Sequence, residues 1–129
     1  MSKPIKMKAI KISDFGGPEV CKYVDVPIPE CGEGQVLVRI AIAGVNYLDI
    51  YTREGIRGGS LPFILGSEGA GEIVKVGSGV KNTKIGDTDV FRGSVTGTFA
   101  EYALVPAWVT YPIPNEVDIK DATAMHLQG

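Results

Sequence analysis

Short runs of apolar residues, separated by glycine, proline and polar residues, repeat along the whole chain. Each run is rich in valine, isoleucine, tyrosine or phenylalanine, which pack well on a pleated sheet. The turn residues between them recur too often for long helices, so the pattern predicts a mainly β fold, a small sandwich or barrel. The predicted strands span residues 8–12, 20–26, 35–43, 71–76, 89–91, 99–105 and 109–113.

The run at residues 35–43 has the clearest alternation in the chain. Val36, Val38, Ile40 and Ile42 occupy every second position of this run. These positions alternate with Leu37, Arg39 and Ala41, so we expect one face of the strand to be buried.

Two short helices are predicted among the strands. The first spans residues 47–54, with Asn46 as its N-cap and Gly55 at its C-terminal end. The second spans residues 118–127 and begins at an aspartate, which suits a capping position. Helix should be limited mainly to these two segments.

The composition is that of an ordinary globular domain. The chain has 129 residues, of which 44% are hydrophobic and 22% are charged, and its formal net charge is −2. It contains no cluster of basic residues for nucleic acid and no apolar run long enough to span a membrane. Cys21 and Cys31 make neither a disulfide framework nor a metal pair, which favours reduced thiols and a cytoplasmic location.

The chain lacks a dinucleotide-binding fingerprint. That fingerprint needs glycine at the first, third and sixth positions of a loop between a strand and a helix. The runs GAGEIV at residues 69–74 and GSGVKN at residues 77–82 both lack the last glycine. These glycines are expected to serve turns, and the phosphates of a nucleotide would need another domain.

The segments GVNYLDIY at residues 44–51 and LGSEGAG at residues 65–71 are the most informative in the chain. They resemble the frame in which medium-chain alcohol dehydrogenases carry a zinc-binding cysteine and then a zinc-binding histidine. Here Asn46 stands at the cysteine position and Ser67 at the histidine position. An amide and a hydroxyl replace a thiolate and an imidazole poorly as zinc ligands. The chain therefore resembles the zinc-free branch of that superfamily, the quinone oxidoreductases of zeta-crystallin type.

Further short motifs extend the resemblance over nearly the whole chain, in the order that the family has them. Asp89 departs from the pattern, because the family usually has an apolar strand residue there. Segment 91–97 contains no cysteine where the zinc enzymes have a cysteine-rich lobe for structural zinc, so no metal is expected at either site. The motifs are FGGPEV at 15–20, VGSGVK at 76–81, GD at 86–87, GTFAEY at 97–102 and LQG at 127–129.

The resemblance implies a fold and a parent enzyme. Residues 1–129 would form a GroES-like substrate-side domain, a partly open β-barrel with a few short helices. The last helix, at about residues 118–128, would lead toward a nucleotide-binding Rossmann domain that is absent from this chain. The parent would be an NADPH-dependent reductase of a quinone or an enone, and a homodimer through the missing domain. The fragment alone would then be inactive.

The resemblance also assigns roles around the first helix. Asn46 and Tyr51 are the catalytic candidates, because the matching residues lie at the active-site cleft and the tyrosine approaches the nicotinamide end of NADPH. The residues expected to contact the cofactor are Asn46, Tyr47, Asp49, Tyr51 and Gln128.

Zinc normally stabilises the negative charge that develops on the acceptor oxygen during hydride transfer. Without zinc, neutral hydrogen-bond donors must suffice, and they are adequate for a quinone because its reduced oxygen is a stabilised phenolate. Ser67 is expected to leave room for a planar ring, and Glu68 to remain as a buried hydrogen-bonding group. His126, near the end of a helix, fits a capping or surface role better than catalysis.

The residues alone leave other interpretations open. Asn46 can be a plain N-cap, Tyr51 can be a core residue, and Asp49 can pair with Arg53 on the helix surface. The whole chain can also be a free-standing GroES-like β-barrel, either a binding module or a co-chaperonin-like subunit. A co-chaperonin needs an apolar mobile loop, for which segment 55–59 offers only Ile56.

Overall fold

The computed structural model describes residues 5–56, 58–114 and 116–121 of the chain. This part of the chain is mainly β, as predicted, and its strands form two antiparallel sheets. The strands are β1 Lys6–Ile12, β2 Lys22–Pro27, β3 Gln35–Ala43, β4 Phe63–Ile64, β5 Glu68–Val76, β6 Thr88–Arg92, β7 Tyr102–Pro106 and β8 Thr110–Pro112.

The smaller sheet has the strand order β2-β1-β4, and the larger sheet has the order β7-β3-β5-β6-β8. An isolated antiparallel bridge between Ala9 of β1 and Ala100, just before β7, connects the two sheets. Within the described residues the sheets do not close into a barrel, so the prediction of a partly open β structure is confirmed.

The core lies on one face of the larger sheet. Leu37, on the other face of β3, is also buried, together with its register partner Leu104. Val36, Leu37 and Val38 are all buried, so the first half of β3 is covered on both faces, and alternation alone does not report this. The core cluster consists of Val36, Val38, Ile73, Phe91, Ala103, Val105 and Ala107.

Strand β5 begins at Glu68, not at residue 71 as predicted. Gly69 and Gly71 hid its first part, because glycine is depleted in strands. A Cβ on Gly69 would collide with the carbonyl oxygen of Ile42, and one on Gly71 with that of Arg39. The register between β3 and β5 shifts at this point, so the glycines allow a close approach of two backbones at a bulge.

The other differences lie at strand ends. The two-residue β4 was not predicted, because so short a segment carries no periodicity. Residues Pro18–Val20 and Ala107–Val109 form short 3-10 helices where the predicted runs 20–26 and 109–113 begin. The predicted run 99–105 becomes a strand only from Tyr102 onward, after the bridge at Ala100.

Residues Tyr47–Glu54 form helix α1, with the predicted bounds. It ends at Gly55, whose φ of 89° lies in the left-handed region that glycine adopts without strain. Any side chain at Gly55 would also collide with the ring of Phe15. Residues 119–121 are helical, and the rest of the predicted helix 118–127 lies outside the described residues.

Asp89 lies on β6 and is 0% exposed. Neither of its carboxylate oxygens accepts a hydrogen bond within the described part of the chain. The nearest hydroxyls are used elsewhere, because Thr83 donates to Asp87 at 3.3 Å and Thr110 donates to the carbonyl of Ala107 at 2.8 Å. Burial raises the pKa of Asp89, and the smaller opposing effects of Thr83 and Thr110 do not cancel this.

Replacing Asp89 by valine should stabilise the fold and remove part of its pH dependence. The folded state binds the Asp89 proton more tightly than the unfolded chain does. Wild-type stability should therefore fall as the pH rises from the ordinary carboxyl range through the raised pKa, and stay constant above it. At neutral pH the variant should gain about 1–3 kcal/mol, the usual cost of a buried polar group without a partner.

Urea unfolding over a pH series from acidic to neutral measures both effects. Asp14→Asn, at an exposed position, is the matched control. It should change neither the free energy of unfolding at neutral pH nor its dependence on pH. An unchanged free energy of unfolding at neutral pH would show that Asp89 carries no such cost.

Candidate functional site

Reciprocal hydrogen bonds between Asn46 and Asp49 fix the start of α1. The backbone N–H of Asn46 donates to Asp49 Oδ2 at 2.8 Å, and the backbone N–H of Asp49 donates to the carbonyl oxygen of Asn46 at 2.9 Å. The side chain of Asp49 thus reaches back to the N–H of the N-cap residue, as the third helical residue of a capping box does. The prediction that Asn46 is the N-cap is confirmed.

Asp49 therefore belongs to the interior of the site, and only 8% of it is exposed. The alternative in which Asp49 pairs with Arg53 on the helix surface is wrong. Arg53 Nε instead donates to the carbonyl oxygen of Gly16 at 3.1 Å, which ties the end of α1 to the segment that follows β1.

Glu68, the first residue of β5, connects α1 to the larger sheet and is 6% exposed. The side-chain Nδ2 of Asn46 donates to Glu68 Oε2 at 2.9 Å, and Arg92 Nε donates to Glu68 Oε1 at 2.9 Å. Glu68 and Arg92 are register partners on β5 and β6, so the sheet itself brings them together. We call Asn46, Asp49, Glu68 and Arg92 the amide network.

The amide network contains two carboxyl groups and one guanidinium. Burial raises the pKa of Asp49, the N–H of Asn46 opposes this, and the nearby charge of Glu68 raises the pKa further. The charge of Glu68 is compensated by Arg92 across a charge-assisted hydrogen bond. Each carboxyl oxygen of Glu68 accepts from one of its two donors.

The bond to Glu68 holds the side-chain amide of Asn46 in one orientation. An asparagine amide has two N–H groups, and Glu68 accepts from one of them. The other makes no hydrogen bond with the described residues. A fixed, neutral donor therefore stands at the position that the resemblance aligns with a zinc ligand.

The other predicted site residues lie on an exposed face of α1. Tyr47 is 79% exposed and Tyr51, one turn later, is 45% exposed. The alternative that Tyr51 is a core residue is therefore wrong. The structure brings Asn46 and Asp49 into direct contact and places Tyr47 and Tyr51 nearby on the same helix. Gln128 and His126 lie outside the described residues.

A cavity of about 750 Å³ opens beside the amide network. Ser67, next to Glu68 in the chain, and Thr52 of α1 both line it, whereas Asn46 and Tyr51 do not. The opposite wall comes from the smaller sheet. The site thus consists of the amide network at the start of α1 and of the cavity, and Ser67 links them, because it adjoins Glu68 in the chain and lies in the cavity wall.

Among the described residues, no group of three or more histidine, cysteine, aspartate or glutamate side chains is placed to hold a metal ion. In the same part of the chain, no helix is both long and apolar enough to cross a membrane. The expected lack of zinc remains a prediction from the residue types at positions 46 and 67.

Sequence reasoning missed Arg92. It predicted Glu68 as a buried hydrogen-bonding group, which is confirmed, but it named no cation to balance that charge. The available signal was an arginine directly after the apolar end of the run 89–91. Only the register of β5 with β6 reveals its partner.

Residues 32–115 match the family described as the alcohol dehydrogenase GroES-like domain. This match covers well over half of the chain. The chain belongs to this family.

Relatives of the chain narrow the resemblance further. It is 43% identical over 124 residues to the quinone oxidoreductase of Lama guanicoe, covering 92% of this chain and 37% of that protein. The native structure of a mycobacterial quinone oxidoreductase superposes with a TM-score of 0.89 at 36% identity, covering 95% of this chain and 38% of that one. The Escherichia coli quinone oxidoreductase complexed with NADPH superposes with a TM-score of 0.86 at 34% identity. This match covers 91% of this chain and 36% of that one.

These matches confirm the predicted resemblance to the N-terminal part of the quinone oxidoreductases. This GroES-like chain spans little more than a third of the length of the relatives that it matches.

Replacing Arg92 by glutamine should destabilise this domain more than the same change at Arg39. Arg92→Gln leaves the buried carboxylate of Glu68 without its cation, which should cost about 1–3 kcal/mol. Arg39 pairs with Glu72 on the same sheet, but both side chains are substantially exposed, and such pairs contribute about 0–1 kcal/mol.

Urea unfolding of the two variants at neutral pH compares these costs. In Arg92→Gln the side-chain amide resonances of Asn46 should also shift in an NMR spectrum, whereas Arg39→Gln should leave them unchanged. Equal losses of stability with unmoved Asn46 resonances would mean that Glu68 does not depend on Arg92.

Proposed function

We propose that this chain is the N-terminal, substrate-side domain of an NADPH-dependent quinone oxidoreductase. The observation that carries the proposal is the amide network, in which a buried carboxylate orients a neutral amide at the position of a zinc ligand. Quinone oxidoreductases among its relatives support the reaction class, and one of them was solved with NADPH. In this proposal residues 1–129 are one domain, and a helix at about residues 118–128 leads toward a separate nucleotide-binding domain.

The exposed face of α1 fits the nicotinamide end of NADPH. Tyr47 and Tyr51 are exposed there one turn apart, and Val45, just before the N-cap Asn46, is exposed too. A flat ring that carries a carboxamide can stack on such side chains and bond to hydroxyl and amide groups. When bound, NADPH supplies the hydride. Its phosphates are proposed to bind in the other domain, and Gln128 to lie near the cofactor.

The residues of this chain would act on the acceptor and the ring by neutral hydrogen bonds. The acceptor oxygen gains negative charge as hydride arrives, and a donor fixed beforehand stabilises that charge without having to reorganise. The second N–H of Asn46 and the hydroxyl of Tyr51 are the proposed donors. Both are weaker than a metal ion, so the proposal favours acceptors whose reduced form is already stabilised, quinones first and enones second.

Asp49 and Tyr47 are proposed to act beside these donors. Asp49 binds the backbone of Asn46 and thereby positions the catalytic amide at the edge of the cofactor site. Tyr47, at the first turn of α1, is the most exposed of the aromatic residues on this helix and would cover the cofactor ring.

The wider setting follows the same proposal. The parent is proposed to be a cytoplasmic enzyme without zinc, and a homodimer through its nucleotide-binding domain. Its substrate is a small molecule, since a net charge of −2 and the lack of a basic cluster favour neither nucleic acid nor a membrane surface.

The full-length parent should reduce 1,4-benzoquinone with NADPH, and the 129-residue chain alone should not. The reason is that the chain has no phosphate cradle for the hydride donor. The measurement is NADPH oxidation at 340 nm, a standard absorbance assay whose turnover is typically about 1–1000 per second. A parent without quinone turnover would overturn the proposed function. Turnover by the purified fragment would mean that the cofactor site has been misplaced.

Tyr51→Phe in the parent should lower turnover more than stability. Because Tyr51 is exposed, removing its hydroxyl should cost the fold less than about 1 kcal/mol. If the hydroxyl orients the ring or the acceptor, kcat/KM should fall up to about a hundredfold, the usual effect of one lost donor. Tyr23→Phe, at an exposed tyrosine on β2, is the control. Unchanged kcat/KM would remove Tyr51 from the mechanism.

A further inference from the structure

Lys11 is half-buried on the middle strand of the smaller sheet. Met7 and Ala9 on β1 are buried, and Lys11 continues this series at the same period of two. Lys11 lines the cavity beside Ser67 together with Met7. Among the described residues that line this cavity, Lys11 is the only one with a charged side chain.

The usual reason for an inward lysine does not apply here. Sheets use inward-pointing charges to protect an exposed edge strand from pairing with other chains. Strand β1 is not an edge, because β2 and β4 pair with it on either side. The position of Lys11 therefore needs another explanation.

The ammonium group of Lys11 is unpaired in the part of the chain that the structure describes. Within the described residues it makes no ion pair, although Lys8 on the same strand pairs with Asp25. Its register partner on β2 is Lys22, a second cation. Like charges directly opposite each other on neighbouring strands are destabilising. An anion bound at this position would relieve that repulsion.

The rest of the cavity is suited to a flat, mostly apolar ligand. Its apolar lining includes Val26, Phe63 and Met7. Ser60 and Ser94 also line it, and their hydroxyl groups can form hydrogen bonds. A volume of about 750 Å³ falls in the range of small-molecule sites.

We propose that this cavity binds an aromatic or conjugated carbonyl compound that carries an acidic group. The acid lies at Lys11, and the ring lies against the apolar wall toward Ser67. As a statement about the acceptor of the enzyme, this rests on the proposed function, because Ser67 joins the cavity to the amide network. The binding of such an acidic compound to the chain is a separate claim and does not rest on the proposed function.

Titration of the 129-residue chain with unreactive probes tests the proposal. Naphthalene-2-carboxylate carries both the ring and the charge, naphthalene-2-carboxamide carries the ring without the charge, and acetate carries the charge without the ring. The carboxylate should bind about three- to fivefold more tightly than the carboxamide, the ratio expected for one partly exposed ion pair. Backbone resonances of Gly59, Ser94 and Gly97 should report its binding in an NMR spectrum.

Variants at Lys11 test whether the preference for the carboxylate probe depends on the charge of this side chain. Lys11→Met keeps the apolar stem and should abolish the preference for the carboxylate, whereas Lys11→Arg should retain it. Lys6→Met is the matched control, because Lys6 lies on the same strand, is exposed and does not line the cavity. The control should bind as the wild type does.

Equal binding of carboxylate and carboxamide, binding of acetate as tight as that of the naphthoate, or a preference that survives in Lys11→Met would overturn the proposal. The proposed function is judged separately. If the parent fails to reduce benzoquinone while the chain still selects the carboxylate through Lys11, the anion site stands and the reductase function fails. If the parent reduces benzoquinone and the chain shows no selection, the reverse holds.

Discussion

The buried carboxylate of Glu68 is the constraint on which the candidate site depends. It sits at the first residue of β5, where it is buried and each of its two oxygens accepts a hydrogen bond, which offsets the cost of burial. Arg92 supplies the charge from the neighbouring strand, and Asn46 supplies an amide from the start of α1. The capping box of Asp49 then fixes the backbone of Asn46. A helix of eight residues is thereby held to the sheet at the end where the proposed chemistry occurs.

Two buried carboxylates on adjacent strands show how differently this fold uses the same group. Glu68 has two donors and orients a side chain of the site, while Asp89 is more deeply buried and has no hydrogen bond within the described residues. The regular register of β5 with β6 places both of them, so neither position reflects a local distortion. An unpartnered charge is a cost that cores seldom carry. The sheet tolerates a buried carboxyl without a hydrogen bond at Asp89, and the site depends on the hydrogen-bonded carboxyl at Glu68.

Sequence patterns predicted the elements whose signals are local. The bounds of β3 and α1 follow from period-two alternation and from cap residues, both of which act within a few positions. The start of β5 was missed because Gly69 and Gly71 are needed where the backbone of β3, distant in sequence, comes too close for a Cβ. For the same reason the partner of Glu68 and the exposure of Tyr51 required the structure. The residue types at two aligned positions were enough to single out Asn46 and Ser67. Their surroundings depend on strand register and burial, which only the structure provides.

A double-mutant cycle between Asn46 and Glu68 tests the central claim most directly. Asn46→Ala removes the donor, Glu68→Met removes the acceptor at similar length, and the cap contribution of Asn46 cancels in the cycle. A hydrogen bond to a buried charge predicts a coupling of about 1.5–3 kcal/mol in the free energy of unfolding of the 129-residue chain. Effects that add to within about 0.5 kcal/mol would mean that Glu68 does not hold the amide of Asn46.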